Sequence, residues 1–290
     1  MPESAAVTVA GHTIRMTNLD RVMYPETGMT KAEVMQYLLA VALPLGRQVR
    51  DRILTRKRWP HGVAEESFFE KNLPAGAPEW IDRVPVGAEP VTYPVLRHGD
   101  LQAPLVWFAQ LGVLEFHVPQ WRLAGSTPTA PDRIVIDLDP GPPAGLVECR
   151  EVALRVREVL DGLALPCQPV LSGSKGMQLY VAIPPEGPLA GADSAAASEF
   201  ARTLAVSLEE ADPDLVVSRM TRSLRPGRVF LDWSQNNGAK TTIAPYSLRG
   251  TPEPHVAAPL GWDEVEAGDL RQQSPDEALA RLAARGDPFA

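Results

Sequence analysis

Asp137 and Asp139 stand one residue apart at the end of a short apolar run, Val135-Ile136-Asp137-Leu138-Asp139-Pro140. Side chains of a strand alternate faces, so the two aspartates would share one face while Ile136 and Leu138 hold the other. Their Cα atoms would lie roughly 7 Å apart at a rise of about 3.3 Å per residue, which lets both carboxylates reach one divalent cation or a metal pair. Aspartate is disfavoured in strands, and like charges on one face repel unless a cation or solvent screens them. A solvated strand face is the plainer alternative.

Two further constellations follow. Ser172-Gly173-Ser174-Lys175-Gly176-Met177-Gln178 combines two glycines, two hydroxyls and a lysine between apolar runs, a composition that can offer N–H groups, hydroxyls and one point charge to a phosphate. It lacks the G-x-x-x-x-G-K-[ST] spacing of a Walker A loop and could equally be a tight turn. Asp232 lies in the apolar run Val229–Trp233, preceded by Arg219, Arg222, Arg225 and Arg228. Two-metal phosphoryl transfer needs such a third carboxylate, because an isolated D-x-D pair cannot both neutralise and bridge two cations. Asp232 is also compatible with a paired surface acid. Lys240-Thr241-Thr242 and Ser247-Leu248-Arg249-Gly250 read as loop polarity or as further phosphate ligands.

These residues need a frame. Thr30-Lys31-Ala32-Glu33 opens a capping box and an amphipathic helix to about Gly46. Helices are also expected over 147–163 and 195–210, with a last one starting at Ser274-Pro275. Strands are expected at 53–56, 113–118, 133–139, 170–172, 178–183, 215–218 and 229–233. Their spacing is too irregular for a Rossmann or TIM repeat, so the fold class is mixed α/β (α+β), with twisted mixed sheets flanked by helices. Pro/Gly punctuation near 74–78, 140–145 and 184–192 marks loops, and no internal repeat is present.

Composition narrows the function. The 290 residues are 44% hydrophobic, enough for a sizeable core. The longest uncharged stretch, Leu101 to Leu114, is 14 residues and contains Pro104, too short to span a bilayer. The start, Met1-Pro2-Glu3, lacks a secretory pattern, so a soluble cytoplasmic protein with no membrane partner is expected. Cys149 and Cys167 suggest neither a disulfide framework nor a zinc site. A net charge of −8 argues against nonspecific coating of nucleic acid. Arg47 to Arg58, however, holds six basic residues against Asp51, and Arg219 to Arg228 holds four arginines and no acid. Such patches suit a confined polyanion track or a solvated face.

In this order, Asp137-x-Asp139, Ser-Gly-Ser-Lys-Gly at 172–176, Phe230-x-Asp232-Trp233-Ser234-Gln235-Asn236 and Lys240 through Arg249 resemble the polymerase domain of bacterial ligase D. That family belongs to the archaeo-eukaryotic primase-polymerase superfamily and serves non-homologous end joining. The resemblance extends to Asp20–Pro25, Arg56–Pro60, Phe68–Lys71 and Glu115–Trp121. It implies one primase-polymerase domain over 1–290: DNA 5′-phosphate contacts within about 10–125, a metal and nucleotide core within about 126–260, and a helical tail from about 261.

The resemblance also implies roles. Asp137, Asp139 and Asp232 would hold two manganese or magnesium ions. Ser172, Lys175 and Arg249 would bind nucleoside triphosphate. His117, by itself a core histidine, would reach the nucleotide, with Gln178, Gln235 and Lys240 as secondary contacts. Arg21 and Lys31, supported by Asn18, would grip a 5′-phosphate on gapped or broken DNA. Phe68 and Phe69, otherwise half-buried core, would form a stacking platform. Arg225 would guide a primer or synapsed strand. Two departures stand out: Arg21 replaces a lysine, and Gln178 replaces a histidine, which predicts weaker triphosphate binding.

The expected activity is metal-dependent, template-directed nucleotide addition at DNA gaps and ends, with ribonucleotides preferred and the enzyme associated with the nucleoid. A non-catalytic DNA-end-binding module and a two-metal phosphodiesterase are the alternatives. No adenylation-lysine motif is evident, so a separate DNA ligase and a Ku-type end-binding protein are the expected partners.

Overall fold

The computed structural model describes residues 4–87, 91–97, 99 and 101–290. The strands that build the site are β1 (Thr55–Arg58), β2 (Phe68–Glu70), β3 (Val113–Val118), β4 (Arg133–Pro140), β5 (Cys167–Leu171), β6 (Met177–Ala182), β7 (Val216–Val217), β8 (Val229–Asp232) and β9 (Thr242–Ile243). The helices are α1 (Lys31–Ala40), α2 (Ala42–Val49), α3 (Gln102–Gln110), α4 (Leu146–Gly162), α5 (Ser194–Ala211), α6 (Trp262–Ala267) and α7 (Pro275–Arg285).

A five-stranded sheet has the order β5-β6-β4-β8-β7, and a four-stranded sheet the order β9-β3-β1-β2. All neighbours run antiparallel except β7 and β8. The aspartate strand β4 is therefore central. Its two faces belong to different packing groups. Ile134, Ile136 and Leu138 join the main core with Val152 and Val156 of α4 and Ala201 of α5, whereas Val135 packs with Val170, Tyr180 and Ile243. Period-2 alternation thus sends the greasy residues to the helices and Asp137 and Asp139 to the side where β9 closes.

The expected helix from Thr30 to Gly46 is two helices. The capping box of Thr30 and Glu33 is present, but α1 stops at Ala40. Pro44 explains the break, since it has no N–H to offer Ala40; it instead occupies the first turn of α2, where no such donor is required. The uncharged stretch Leu101 to Leu114 holds α3, buried through Leu105, Val106 and Phe108. Hairpins at Ser4–Val9/His12–Thr17, Asp82–Pro85/Thr92–Val95 and Trp121–Ala124/Thr127–Pro131 were not foreseen. Both cysteines are free, and among the described residues no helix is long and apolar enough to cross a membrane.

Candidate nucleotide and DNA-end site

Strand register assembles the acidic centre. Asp137 pairs across the ladder with Asp232 on β8 and, on its other side, with Gln178 on β6. Gln178 Nε2 donates to Asp137 Oδ1 at 3.1 Å, so its amide is already engaged with a carboxylate. Asp139 lies opposite Phe230, and the Arg225 guanidinium sits 3.7 Å from the Phe230 ring centroid. Burial first, and then the charge of Asp139, push the Asp137 carboxyl up to about 7. Burial likewise raises Asp139, against the pull of Lys175.

Three carboxylates on one half-buried face therefore carry more negative charge than their surroundings tolerate. A divalent cation would reverse that cost, and hard carboxylate oxygens suit magnesium or manganese. Asp232 is turned into local bonds: Ser234 N donates to Oδ1 at 3.0 Å and Gln235 Nε2 to Oδ2 at 2.7 Å. Among the described residues no three His, Cys, Asp or Glu side chains converge into a ligand set. Lys240 donates to the Ser234 hydroxyl and so supports Asp232 indirectly.

Beside the aspartates opens a cleft of about 320 Å³ lined by residues from both sheets, including His117, Ser172, Lys175, Gln178, Gln235 and Arg249. The Ser-Gly-Ser-Lys-Gly segment forms its lip as a turn joining β5 to β6. Ser172 Oγ accepts from Ser174 N and Gly176 N, both at 3.2 Å, and Gln272 braces the turn from below. Gly173 has φ +69°, and a Cβ there would meet Arg249 Cγ at 2.5 Å, so only glycine lets the turn lie against that arginine. Lys175 is exposed at the tip, with no ion pair among the described residues.

A residue with no assigned role, Glu115, organises the opposite wall. Its carboxylate is 4% exposed. His117 Nε2 donates to Oε2 at 2.8 Å, Gly250 N donates to Oε1 at 3.1 Å, and Arg249 Nη1 lies 3.7 Å from Oε2. Burial alone would raise this carboxyl; the His117 bond, the Arg249 charge and the Gly250 N–H together hold it down to about 2. Tyr24 donates to the Arg249 carbonyl at 2.8 Å, fixing the backbone beneath the guanidinium. Arg249 Nε remains buried with no hydrogen-bond partner. Sequence position hid Glu115, because its partners Arg249 and Gly250 are distant in the chain; its place two residues before His117 in one strand was the only signal.

The residues expected at a DNA end form a second group. Arg21 and Lys31 are joined backbone to backbone, Lys31 N donating to Arg21 O at 2.8 Å. Arg21 N donates to the carbonyl of Asn18, which adopts φ +53°. Lys31 is 4% exposed, and its Nζ donates to the Thr17 carbonyl at 3.0 Å. Arg21 donates to the Pro60 carbonyl. No carboxylate pairs with either cation among the described residues. Burial, then the Arg21 charge, pull Lys31 down to about 8. Phe68 and Phe69, on edge strand β2, are exposed rather than half-buried core. Phe69 lies edge-on to His117 at 5.5 Å between centroids, which ties the aromatic pair to the aspartate cleft.

The family model for the LigD primase-polymerase domain matches residues 30–289. The multifunctional non-homologous end joining protein LigD of Mycolicibacterium smegmatis is 48% identical over 279 residues, covering 96% of this chain and 36% of that protein. The bifunctional LigD of Bacillus subtilis is 31% identical over 95% of this chain and 43% of its own length. The chain thus spans less than half the length of these relatives. Among solved structures, the polymerase domain of Mycobacterium tuberculosis ligase D in complex with DNA superposes with a TM-score of 0.88 at 45% identity, covering 95% of this chain and 96% of that one.

Proposed function

The chain belongs to the LigD primase-polymerase family, and on that premise we propose that it is a nucleotidyltransferase of DNA repair which adds nucleotides, ribonucleotides by preference, to primer 3′ ends at gaps and breaks. The observation that carries this reading is the register pairing of Asp137 with Asp232, Asp139 on the same face, beside a cleft lined by Lys175 and Arg249.

Asp137, Asp139 and Asp232 are the residues that would hold two manganese or magnesium ions. Once bound, such ions supply Lewis acidity to the primer hydroxyl and counter-charge to the triphosphate. Arg249 presents its unpartnered Nε and its fork to phosphate oxygens, and Lys175 adds a point charge from the turn tip. Ser172 orders the turn by accepting from the Ser174 and Gly176 N–H groups, and its own O–H would be turned to the phosphate oxygens. His117, aimed by Glu115, would meet the nucleotide sugar, with Gln178 and Gln235 alongside.

Arg21 and Lys31 would take the 5′-phosphate across a gap, because two adjacent cations without a carboxylate are relieved by an anion. Phe68 and Phe69 would stack on bases at the break, and Arg225, held over Phe230 beside Asp139, would steer the primer strand. Cytoplasmic, nucleoid-associated work with a Ku-type end-binding protein and a DNA ligase completes the proposal.

The decisive experiment offers a gapped duplex bearing a 5′-phosphate, manganese and each class of nucleoside triphosphate. Primer extension is expected, faster with ribonucleotides, and Asp137→Ala should abolish it. Extension surviving in that variant would remove the metal assignment. Tight gap binding with no extension by the unaltered protein would favour an end-binding module, whose best support is the separate Arg21–Lys31 pair.

A further inference from the structure

Arg133 lies four residues before Asp137 in β4, on the same sheet face. It floors a second cavity of about 570 Å³, separated from the aspartate cleft by Tyr180 and Ile243. Five arginines line it: Arg47, Arg50, Arg52, Arg122 and Arg133. Among the described residues their carboxylate partners are two, Asp132 for Arg52 and Arg122 and Asp287 for Arg47, which leaves an excess of three positive charges there.

The deepest two are incompletely satisfied. Arg133 is 7% exposed; it donates through Nε to Gln120 and through Nη1 to Gln48, both neutral amides, while Nη2 is buried with no hydrogen-bond partner. Arg52 is 1% exposed, and its Nε is buried and unpartnered too. Buried guanidinium N–H groups left unbonded cost free energy that a suitable acceptor would return. The Tyr180 ring supports Arg133 at 5.0 Å, and Phe289 meets Tyr180 edge-on at 5.8 Å, giving the cavity an apolar side.

We propose that this cavity is a second anion site, taking a small phosphate-bearing molecule of up to nucleotide size. Guanidinium forks match phosphate oxygens in pairs, the volume falls in the range of small-ligand sites, roughly 300–1,000 Å³, and the aromatic wall suits a base. Arg133 and Arg52 at the floor favour a compact ligand that enters over a strand that runs past.

Equilibrium dialysis of ATP against the full chain in EDTA tests this, since chelation disables a metal-dependent cleft. ATP should still bind, unaffected by Lys175→Ala but weakened at least tenfold by Arg133→Lys, which keeps the charge and loses the fork, and by Arg50→Ala at the rim. Arg50→Ala remains informative if Arg133→Lys fails to fold, and its primer extension should match the unaltered protein. Competition by pyrophosphate as strong as by ATP would identify phosphate as the recognised group; stronger competition by ATP would add the base. No binding in EDTA, loss with Lys175→Ala, indifference to Arg50→Ala, or competition by a 5′-phosphorylated oligonucleotide alone would each overturn the site.

Discussion

The two phosphate grips proposed for the main site are built on opposite electrostatic plans. Arg249 and His117 are anchored by the buried Glu115, whose carboxyl is held down to about 2. Arg21 and Lys31 stand together with no carboxylate among the described residues, and Lys31 is pulled down to about 8. An anchored cation is oriented before any ligand arrives. An unanchored pair stores repulsion that only a ligand relieves, so its occupancy should be sharply selective for an end that carries phosphate.

Removing the anchor should have the largest effect. Glu115→Gln keeps one oxygen for the Gly250 N–H but removes the negative charge facing Arg249 and turns the oxygen shared by His117 and Arg249 into an amide donor, and breaking a buried charge pair typically costs about 3–5 kcal/mol. Chemical denaturation should register a loss of that order, and the KM for nucleotide should rise at least tenfold while 5′-phosphate discrimination survives. A stable Glu115→Gln with an unchanged KM would erase the distinction between the grips.

Lys31→Met should behave in the opposite way. It removes a buried cation pressed against Arg21, so stability should hold or rise, although the bond to Thr17 O is lost. Preference for a 5′-phosphorylated over a hydroxyl-ended gap should fall about tenfold or more, since a hydrogen bond to a charged group contributes about 1.5–3 kcal/mol. Gel-shift titrations with the paired gaps measure this. A destabilised variant that keeps its preference would show that Lys31 is structural.

Proton linkage separates the grips next. Lys31 is depressed from 10.5 to about 8, so between those values the unfolded chain holds the proton and the folded chain does not. Stability from this group therefore rises with pH across that window, and the burial penalty is felt in full below it. Phosphate binding needs the proton back, so 5′-phosphate discrimination should weaken by up to about tenfold between pH 8 and 9. Glu115 is ionised throughout that range and gives no comparable change; its own stabilisation is present above 4.5 and lost as pH falls toward 2. Flat discrimination from pH 7 to 9 would contradict the unanchored reading.

Much of this was legible in the chain because it is local. Asp137 and Asp139 announce themselves through period-2 alternation, and the helices α4 and α5 through caps and apolar spacing, within a residue or two of their observed ends. What escaped depends on pairing across the chain. Glu115, Tyr24 and Gln272 act on residues reached only by the fold. The exposure of Phe68 and Phe69 follows from β2 being an edge strand, which no local pattern reveals. Pro44 did carry a readable stop signal for α1, outweighed by a continuing apolar stripe.

The smallest effect concerns Gln178, where the resemblance implies a histidine. Its amide orientation is set from both sides: Nε2 faces Asp137 Oδ1 at 3.1 Å, and Oε1 lies 3.2 Å from the Tyr180 hydroxyl. The side chain thus steadies a carboxylate but adds no charge to a cleft whose cations are Arg249 and Lys175. Gln178→His would keep a donor toward Asp137 and, when protonated, extend the anchored grip by a third cation. Charge-assisted bonds are roughly twice as strong as neutral ones, which for about 1 kcal/mol predicts a roughly fivefold lower KM for triphosphate, more evident at pH 6.5 than at 8. The 5′-phosphate preference should not move, because Arg21 and Lys31 share no hydrogen bond with Gln178. An unchanged KM would mean that orienting Asp137 is the whole contribution of this position.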